Sequence, residues 1–531
     1  MILSISERPT WPLVVIALLA AAIYLSAICI YRVFFHPLSK YPGPWLAAVS
    51  QCYMLYYAWR GDLHLQQQAW HAKYGSDIVR DGPNSITFNS VSANQTIHAV
   101  RANTIKTPGY DAFSASRSMS NTISALDKGT PAFKRRVQGQ VLSEPALKAV
   151  EDRMLQQVQN FIDYIDGPED RVNSAHGHGD WVQRNVSDVC KYLTYNVLTD
   201  LCYGQSLNLF HSPTMRWLPK AVIPYSRMIV MDLAAPILYL KRWDRLLFTP
   251  YLKEIYRLGE WVKESHAARL ALGKEAKRND FFSSLSKAVD PKTGEELSEK
   301  EFWLELLMLL VAGSDTTSVA LNAVIYHLVH NRDSLHMATK EVRSQFETVD
   351  EIRTGPKLSD CRFLLSCIEE SMRLSPPVVH GPPRLVQAGG IVVDGEYFAE
   401  GTVVSTPTYT LHRSRKNFDA PDDFKPERWM TEGEELKRAR QAYQPFHVGA
   451  YSCVGWRLAM MELQVSLARL LFTYDLRLPP NASCCNKAPR GEQCQLEMKG
   501  WMTSHVVGPQ VRFRRRSTHE DNGDTNAQSI R

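Results

Sequence analysis

Apolar residues run without a charge from Leu13 to Tyr31 (LVVIALLAAAIYLSAICIY). At about 1.5 Å per helical residue this nearly matches a hydrocarbon core roughly 30 Å thick. Trp11 and Tyr31 flank the run, where amphipathic rings favour the membrane interface. A cleaved signal peptide would have a shorter apolar region with a small-residue cleavage site close behind. Here the run continues, and Arg32, His36 and Lys40 follow. The pattern predicts an uncleaved anchor over 13–31, preceded by a short segment 1–12. Arg32 and Lys40 outnumber Arg8, which puts the C-terminal side in the cytosol. Tyr41-Pro42-Gly43-Pro44 cannot continue a helix, so 32–45 reads as a basic, Pro-rich, stiff hinge.

Beyond the hinge the periodicity changes several times. Residues 60–130 are mixed, with β-prone runs such as Ser85–Phe88. Residues 146–275 repeat apolar side chains every three or four positions, a helical spacing. Lys300 to about Val329 predicts one long, very apolar helix, and Ser359 to Leu374 a second, stopped by Pro376-Pro377. Residues 384–410 turn strand-like, with Asp394-Gly395 as a hairpin turn between Val392-Val393 and Tyr397. A loop rich in Pro and Asp leads to Cys453, and a helix runs from Trp456 to about Leu471. Arg514-Arg515-Arg516 opens into STHEDNGDTNAQSIR, which has too little to bury. The reading is therefore one body over 46–512, mainly α with a smaller β region, and a disordered tail over 513–531.

Composition changes this picture little. The chain has 531 residues, 44% hydrophobic and 22% charged, with 61 Lys and Arg against 55 Asp and Glu, net +6. Disorder as the main state, collagen-like and low-complexity classes are excluded. The charge excess is too small and dispersed to indicate nucleic acid. The 10 cysteines include no CxxC pair, so neither a zinc ribbon nor a disulfide scaffold is indicated. There is no internal repeat, no phosphate-cradling Gly-rich loop and no dinucleotide fingerprint, so nicotinamide or flavin must come from elsewhere.

Four local patterns carry chemistry. In Phe446-His447-Val448-Gly449-Ala450-Tyr451-Ser452-Cys453-Val454-Gly455, one cysteine lies between glycines at the mouth of a helix. Free N–H groups there stabilise a thiolate, and a thiolate binds iron well. Ala312-Gly313-Ser314-Asp315-Thr316-Thr317 interrupts the apolar helix with small and polar residues, at a cost in both helix propensity and desolvation. It leaves room for a ligand and offers Asp315 and Thr316 as proton carriers. A helix kink with Thr bonded to its own backbone is the plain alternative. Glu370 and Arg373, at i and i+3, can pair on one helix face. Pro426-Glu427-Arg428-Trp429 lies before Cys453.

In this order and spacing the four resemble the cytochrome P450 family of haem-thiolate enzymes, over about residues 41–512. The resemblance implies a P450-like fold around a buried haem b, preceded by one transmembrane helix. It makes Cys453 the thiolate ligand of the iron, with Phe446 packed near the thiolate to tune its electronics and Gly449 and Gly455 in its loop. It makes Asp315 and Thr316 the acid–alcohol pair that delivers protons to dioxygen. Glu370, Arg373 and Arg428 become a structural ion network. Arg135 and Arg384 are the expected propionate partners. Tyr451 stands where the family usually has Arg or His, and a phenol could donate a neutral hydrogen bond there. Pro131 replaces the Trp or His common four residues before Arg135.

The implied reaction is insertion of one oxygen atom from O2 into an apolar small molecule. Electrons would come from NADPH through a separate NADPH–cytochrome P450 reductase, on the cytosolic face of the endoplasmic reticulum membrane. The segment YRVFFHPLSKYPGPW resembles membrane-bound fungal members, many of which serve specialised metabolism. Alternatives are a haem-thiolate isomerase or dehydratase without O2 activation, a non-catalytic anchored haem protein, and a purely structural membrane protein. Substrate contacts are expected within 105–125, 205–250, 304–312 and 377–381, with Phe113, Met119, Phe210, Met228 and Met231 as candidates. The triplets at Asn94, Asn185 and Asn481 should carry no glycan if the body is cytosolic.

Overall fold

A computed structural model of the chain describes residues 11–114, 120–167, 181–272, 278–480 and 495–516. The first helix, Trp11–Ile30, continues as a π-helical turn, Tyr31–Phe35. Its side chains face outward, and Leu13–Phe35 forms a candidate membrane anchor whose most apolar stretch is not buried in the body, while Arg32 near its end bonds to it. The anchor thus ends four residues later than the sequence pattern placed it. Glu299–His330 is also long and apolar, but 67% of its most apolar window is buried, which marks it as a core helix.

The expected hinge is sewn to the body. The Arg80 N–H donates to Pro42 O (2.8 Å), and the Arg80 guanidinium donates to Arg32 O (2.7 Å). Gly43 lies so close to the Arg80 carbonyl that a Cβ would not fit. Segment 32–45 therefore fixes the direction in which the anchor leaves the body.

A five-stranded sheet follows in the order Ile78–Gly82, Ser85–Phe88, Val403–Ser405, Arg384–Val386, Thr104–Lys106. Ser85–Phe88 pairs parallel with Val403–Ser405, and the other pairs are antiparallel. The register sets Lys106 directly opposite Arg384. Strands Ile391–Val393 and Glu396–Phe398 form the expected hairpin, with positive φ at Asp394 (49°) and Gly395 (81°) as a type I′ turn requires. A third sheet places Gln510–Arg515 between Val182–Asn185 and Tyr474–Arg477. Phe513 is fully buried there, so the tail boundary expected at 513 is too early, and the body extends through 515. Residues 517–531 lie outside the described residues.

Helices make up most of the body. Glu299–His330 starts with a capping box, Ser298 with Glu301, and runs unbroken through residues 312–317. Gly313 faces Leu198 of the helix Val186–Tyr203, where an added Cβ would come within 3.2 Å. Its small size serves close helix packing rather than ligand space. The helix expected from Ser359 starts at Arg362. Glu341 sets this start by accepting from the Phe363 and Leu364 N–H groups (2.9 Å each), a cap supplied by another helix.

The other face of Arg362–Leu374 carries a fully buried ion cluster. Glu370 accepts from Arg373 Nε and a terminal guanidinium nitrogen (2.9 Å each), Arg428 Nε (3.0 Å), Trp429 Nε1 (3.0 Å) and the Lys425 N–H (3.0 Å). Arg373 donates further to His412 O (2.9 Å) and Pro421 O (2.6 Å). Removing one partner leaves charges buried without compensation. Glu370→Ala is expected to destabilise the fold by about 3–5 kcal/mol in denaturant unfolding. Arg353→Ala, which breaks an exposed pair with Asp152, should shift it by about 1 kcal/mol or less.

Candidate functional site

The loop 446–455 is shaped by its backbone. The Cys453 N–H donates to Phe446 O (2.8 Å), which closes the loop on itself. Gly449 has φ +70°, and a Cβ there would run into the His98 carbonyl. Gly455 is different, with φ −89° and room for a Cβ 3.9 Å from Cys453 Sγ. Only Gly449 needs to be glycine for conformational reasons. His447 also takes positive φ (56°), and burial pushes its imidazole down to about 4, so it is neutral. The helix Trp456–Thr473 starts just after Cys453, as expected, and the Phe446 ring packs against the main core.

Cys453 keeps accessible surface although protein surrounds it. Desolvation pushes its thiol up, while the Gly455 N–H and the Arg135 guanidinium pull it down. Arg135, on the helix Gly129–Val141, reaches the same loop and donates to Ser452 Oγ (3.4 Å).

A group of cations gathers beside this loop. Arg384 is 2% exposed, and a terminal guanidinium nitrogen donates to the Tyr110 hydroxyl (2.9 Å). Its Nε is buried without a hydrogen-bond partner among the described residues. The Tyr451 ring lies 4.7 Å from the Arg384 guanidinium carbon and 4.9 Å from Lys106 Nζ. His98, close to Arg384 and His447, is buried and held neutral by desolvation. Sequence reading reached Arg135, Arg384 and Tyr451 but missed Lys106, Tyr110 and His98. Only strand register brings Lys106 here, and no local pattern signals it.

On the central helix, Ala312 and Thr316 keep partial exposure one turn apart, whereas Ser314, Asp315 and Thr317 are buried. Thr316 Oγ1 donates to Ala312 O (2.6 Å), the backbone bond weighed from sequence, yet the helix does not break. Its oxygen lone pairs remain available as acceptors. Asp315 is 6% exposed, its carboxyl pushed up by burial, and it accepts from Thr503 Oγ1. Thr503 in turn pairs with Ser226 (Oγ···Oγ1 3.1 Å). These two partners were also missed, since they come from distant segments.

A cavity of about 770 Å³ lies along the first half of the same helix. It is lined by Phe113, Asn121, Met228, Trp303, Met308 and Val311 among others. Of the candidate substrate contacts, Phe113 and Met228 face it. Phe210 and Met231 are core residues, and Met119 lies outside the described residues. Asn94 is buried and bonded to Gln444 and Thr406, which leaves it unfit as a glycan acceptor.

The pattern that defines the cytochrome P450 family matches residues 42–498. The chain belongs to the cytochrome P450 family. It is similar to cytochrome P450 monooxygenase AKT7 of Alternaria alternata, 34% identical over 507 residues, covering 93% of this chain and 95% of that protein. Cytochrome P450 monooxygenase apf7 of Gibberella fujikuroi is also 34% identical, over 92% of this chain and 96% of its own length. The trichothecene C-15 hydroxylase of Fusarium sporotrichioides is 28% identical over 88% of this chain and 93% of that protein. A crystal structure of the cytochrome P450DA heme domain shares the fold, with TM-score 0.69 at 18% identity, over 88% of this chain and 96% of that one. This P450 is accordingly an oxidoreductase of the monooxygenase type.

Family membership implies haem held by a cysteine thiolate, and the residues present fit that group. A cysteine keeps accessible surface, its loop is braced by a glycine no other residue can replace without strain, and buried cations stand beside it with an unpaired donor at Arg384 Nε. Gly449→Ala is expected to destabilise this P450 by on the order of 1–3 kcal/mol in denaturant unfolding, with the collision at His98 adding to the strain. Gly455→Ala should change stability by less than about 1 kcal/mol, because its backbone is ordinary and its space is open.

Proposed function

We propose that this P450 inserts one oxygen atom from O2 into an apolar small molecule of fungal specialised metabolism. The gathering of Arg135, Tyr451 and Arg384 at the loop of Cys453 carries this reading. Cys453 would hold haem b, with Phe446, Gly449 and Gly455 shaping its loop and Arg135, Arg384 and Tyr451 toward the propionates. When bound, the haem supplies the dioxygen-activating iron. Electrons would come from NADPH through a separate flavin-containing reductase.

The protein's own part is protons, orientation and dryness. Asp315 is buried, so its carboxyl keeps a proton to higher pH than an ordinary aspartate. It can hand that proton on and recover one through Thr503. Thr316, its own O–H spent on Ala312, accepts through its lone pairs at the exposed face of the helix. The cavity walls of Phe113, Met228, Met308 and Val311 exclude water and select an apolar guest. Fungal relatives over nearly the whole length, one named as the hydroxylase of a trichothecene, support the substrate class.

With reductase, NADPH and O2, Thr316→Ala should release more hydrogen peroxide per NADPH oxidised, by roughly tenfold, because proton delivery fails while electron input continues. An unchanged ratio would contradict the assigned pair. On this reading the protein sits on the endoplasmic reticulum membrane with its body in the cytosol, and the candidate anchor supports the membrane part. Deleting residues up to Phe35 should move it from the membrane pellet to the supernatant, and persistence in the pellet would count against a single anchor.

A further inference from the structure

Strand pairing sets Lys106 directly opposite Arg384, and both are almost completely buried, at 3% and 2% exposure. Like charges facing each other across a ladder repel, and burial sharpens the repulsion. Arg135 adds a third cation. The nearest carboxylates are committed elsewhere. Glu305 is bound to Thr122 and Gln138, and Asp127 caps the Thr130 N–H. Asp127 and Glu305 still favour the charged Lys106, but less than burial, Arg384 and Arg135 disfavour it, so the group favours a further anion.

Tyr451 belongs to this group, its ring in contact with both Lys106 Nζ and the Arg384 guanidinium. A tyrosine adds no positive charge at the position where the family's usual pattern has arginine or histidine. Lys106 is well placed to fill that deficit. Its three N–H groups donate to Thr122 O (3.0 Å), Ile123 O (2.7 Å) and Ala125 O (3.0 Å), so the ammonium is fixed in place. With those donors committed, it offers charge rather than a direct hydrogen bond. The Tyr451 hydroxyl remains as a neutral donor.

We infer that Lys106, acting across the Tyr451 ring, supplies the positive charge toward a haem propionate that residue 451 itself lacks. Lys106 is a positioning residue for the cofactor, and this role rests on the haem reading above. Burial and the neighbouring guanidinium groups push its ammonium down to about 7, the electrostatic load that a propionate would relieve.

The test is the rate at which the purified holoenzyme loses haem to an excess of an apo haem-binding globin. Lys106→Gln removes the charge and keeps two of the three N–H donors. It should release haem about tenfold faster, as expected for loss of a unit charge at short range in a partly screened site. Adding Tyr451→Arg to that variant should restore slow release. Release of haem from Lys106→Gln at the wild-type rate would overturn the proposal. If Lys106→Gln does not fold, Tyr451→Arg alone decides. With Lys106 present, it should slow release by less than about twofold, and a tenfold slowing would show that the charge at 451 was missing after all. The thiolate-type ferrous–CO spectrum reports separately on Cys453. If it is absent in the wild type, the haem reading fails. If it is present but release is unchanged, only the role of Lys106 fails.

Discussion

A buried carboxylate, Glu370, fixes the loop on which the chemistry depends. It holds Arg373 and Arg428, and Arg373 in turn binds the backbone at His412, Pro421 and Asp423. His412 continues the chain of contacts. Burial and the adjacent Arg373 push its imidazole down to about 3, so it is neutral. Its Nδ1 faces Arg373 O (3.2 Å), and its Nε2 accepts from the Gln444 N–H (2.9 Å). Gln444 lies two residues before Phe446, whose carbonyl receives the Cys453 N–H. An ion pair in one helix is thus linked, bond by bond, to the loop that positions a sulfur about 80 residues later in the chain. A buried ion network is weak support for stability as such, and here its effect is positional.

The parts of this arrangement that could be read from the sequence are the local ones. An uncharged apolar run marked the candidate anchor, and a long helical pattern marked the central helix. The Asp394-Gly395 turn announced its hairpin, and the glycine–cysteine loop announced a helix start. Boundaries failed where a distant partner decides them. The helix start at Arg362 is set by Glu341 from another helix, and Phe513 belongs to a strand because Leu476 and Val182 pair with it. Gly313 shows the same limit in the opposite direction. Its oddity in an apolar helix was visible, but the reason, Leu198 packed against it, was not.

The same division holds at the site. Cys453, Asp315 and Thr316 stand in short patterns with a chemical reason for each residue. His412, Thr503, Tyr110 and Lys106 stand in none. They act through atoms brought together by register and packing, and a lone lysine in a β-prone run carries no sign that a guanidinium will face it. The substitution of tyrosine at 451 was visible as a departure, and its structural setting is a ring in contact with two cations. That setting turns an apparent loss of charge into a redistribution of it.

The central claim is that the Cys453 sulfur holds haem iron. The most direct measurement is the ferrous–CO spectrum of the purified protein beside that of Cys453→His. The account predicts the red-shifted Soret band of thiolate ligation in the wild type, and a band at the position typical of imidazole ligation, or loss of haem, in the variant. A wild-type protein without haem, or a variant that keeps the thiolate band, would contradict it.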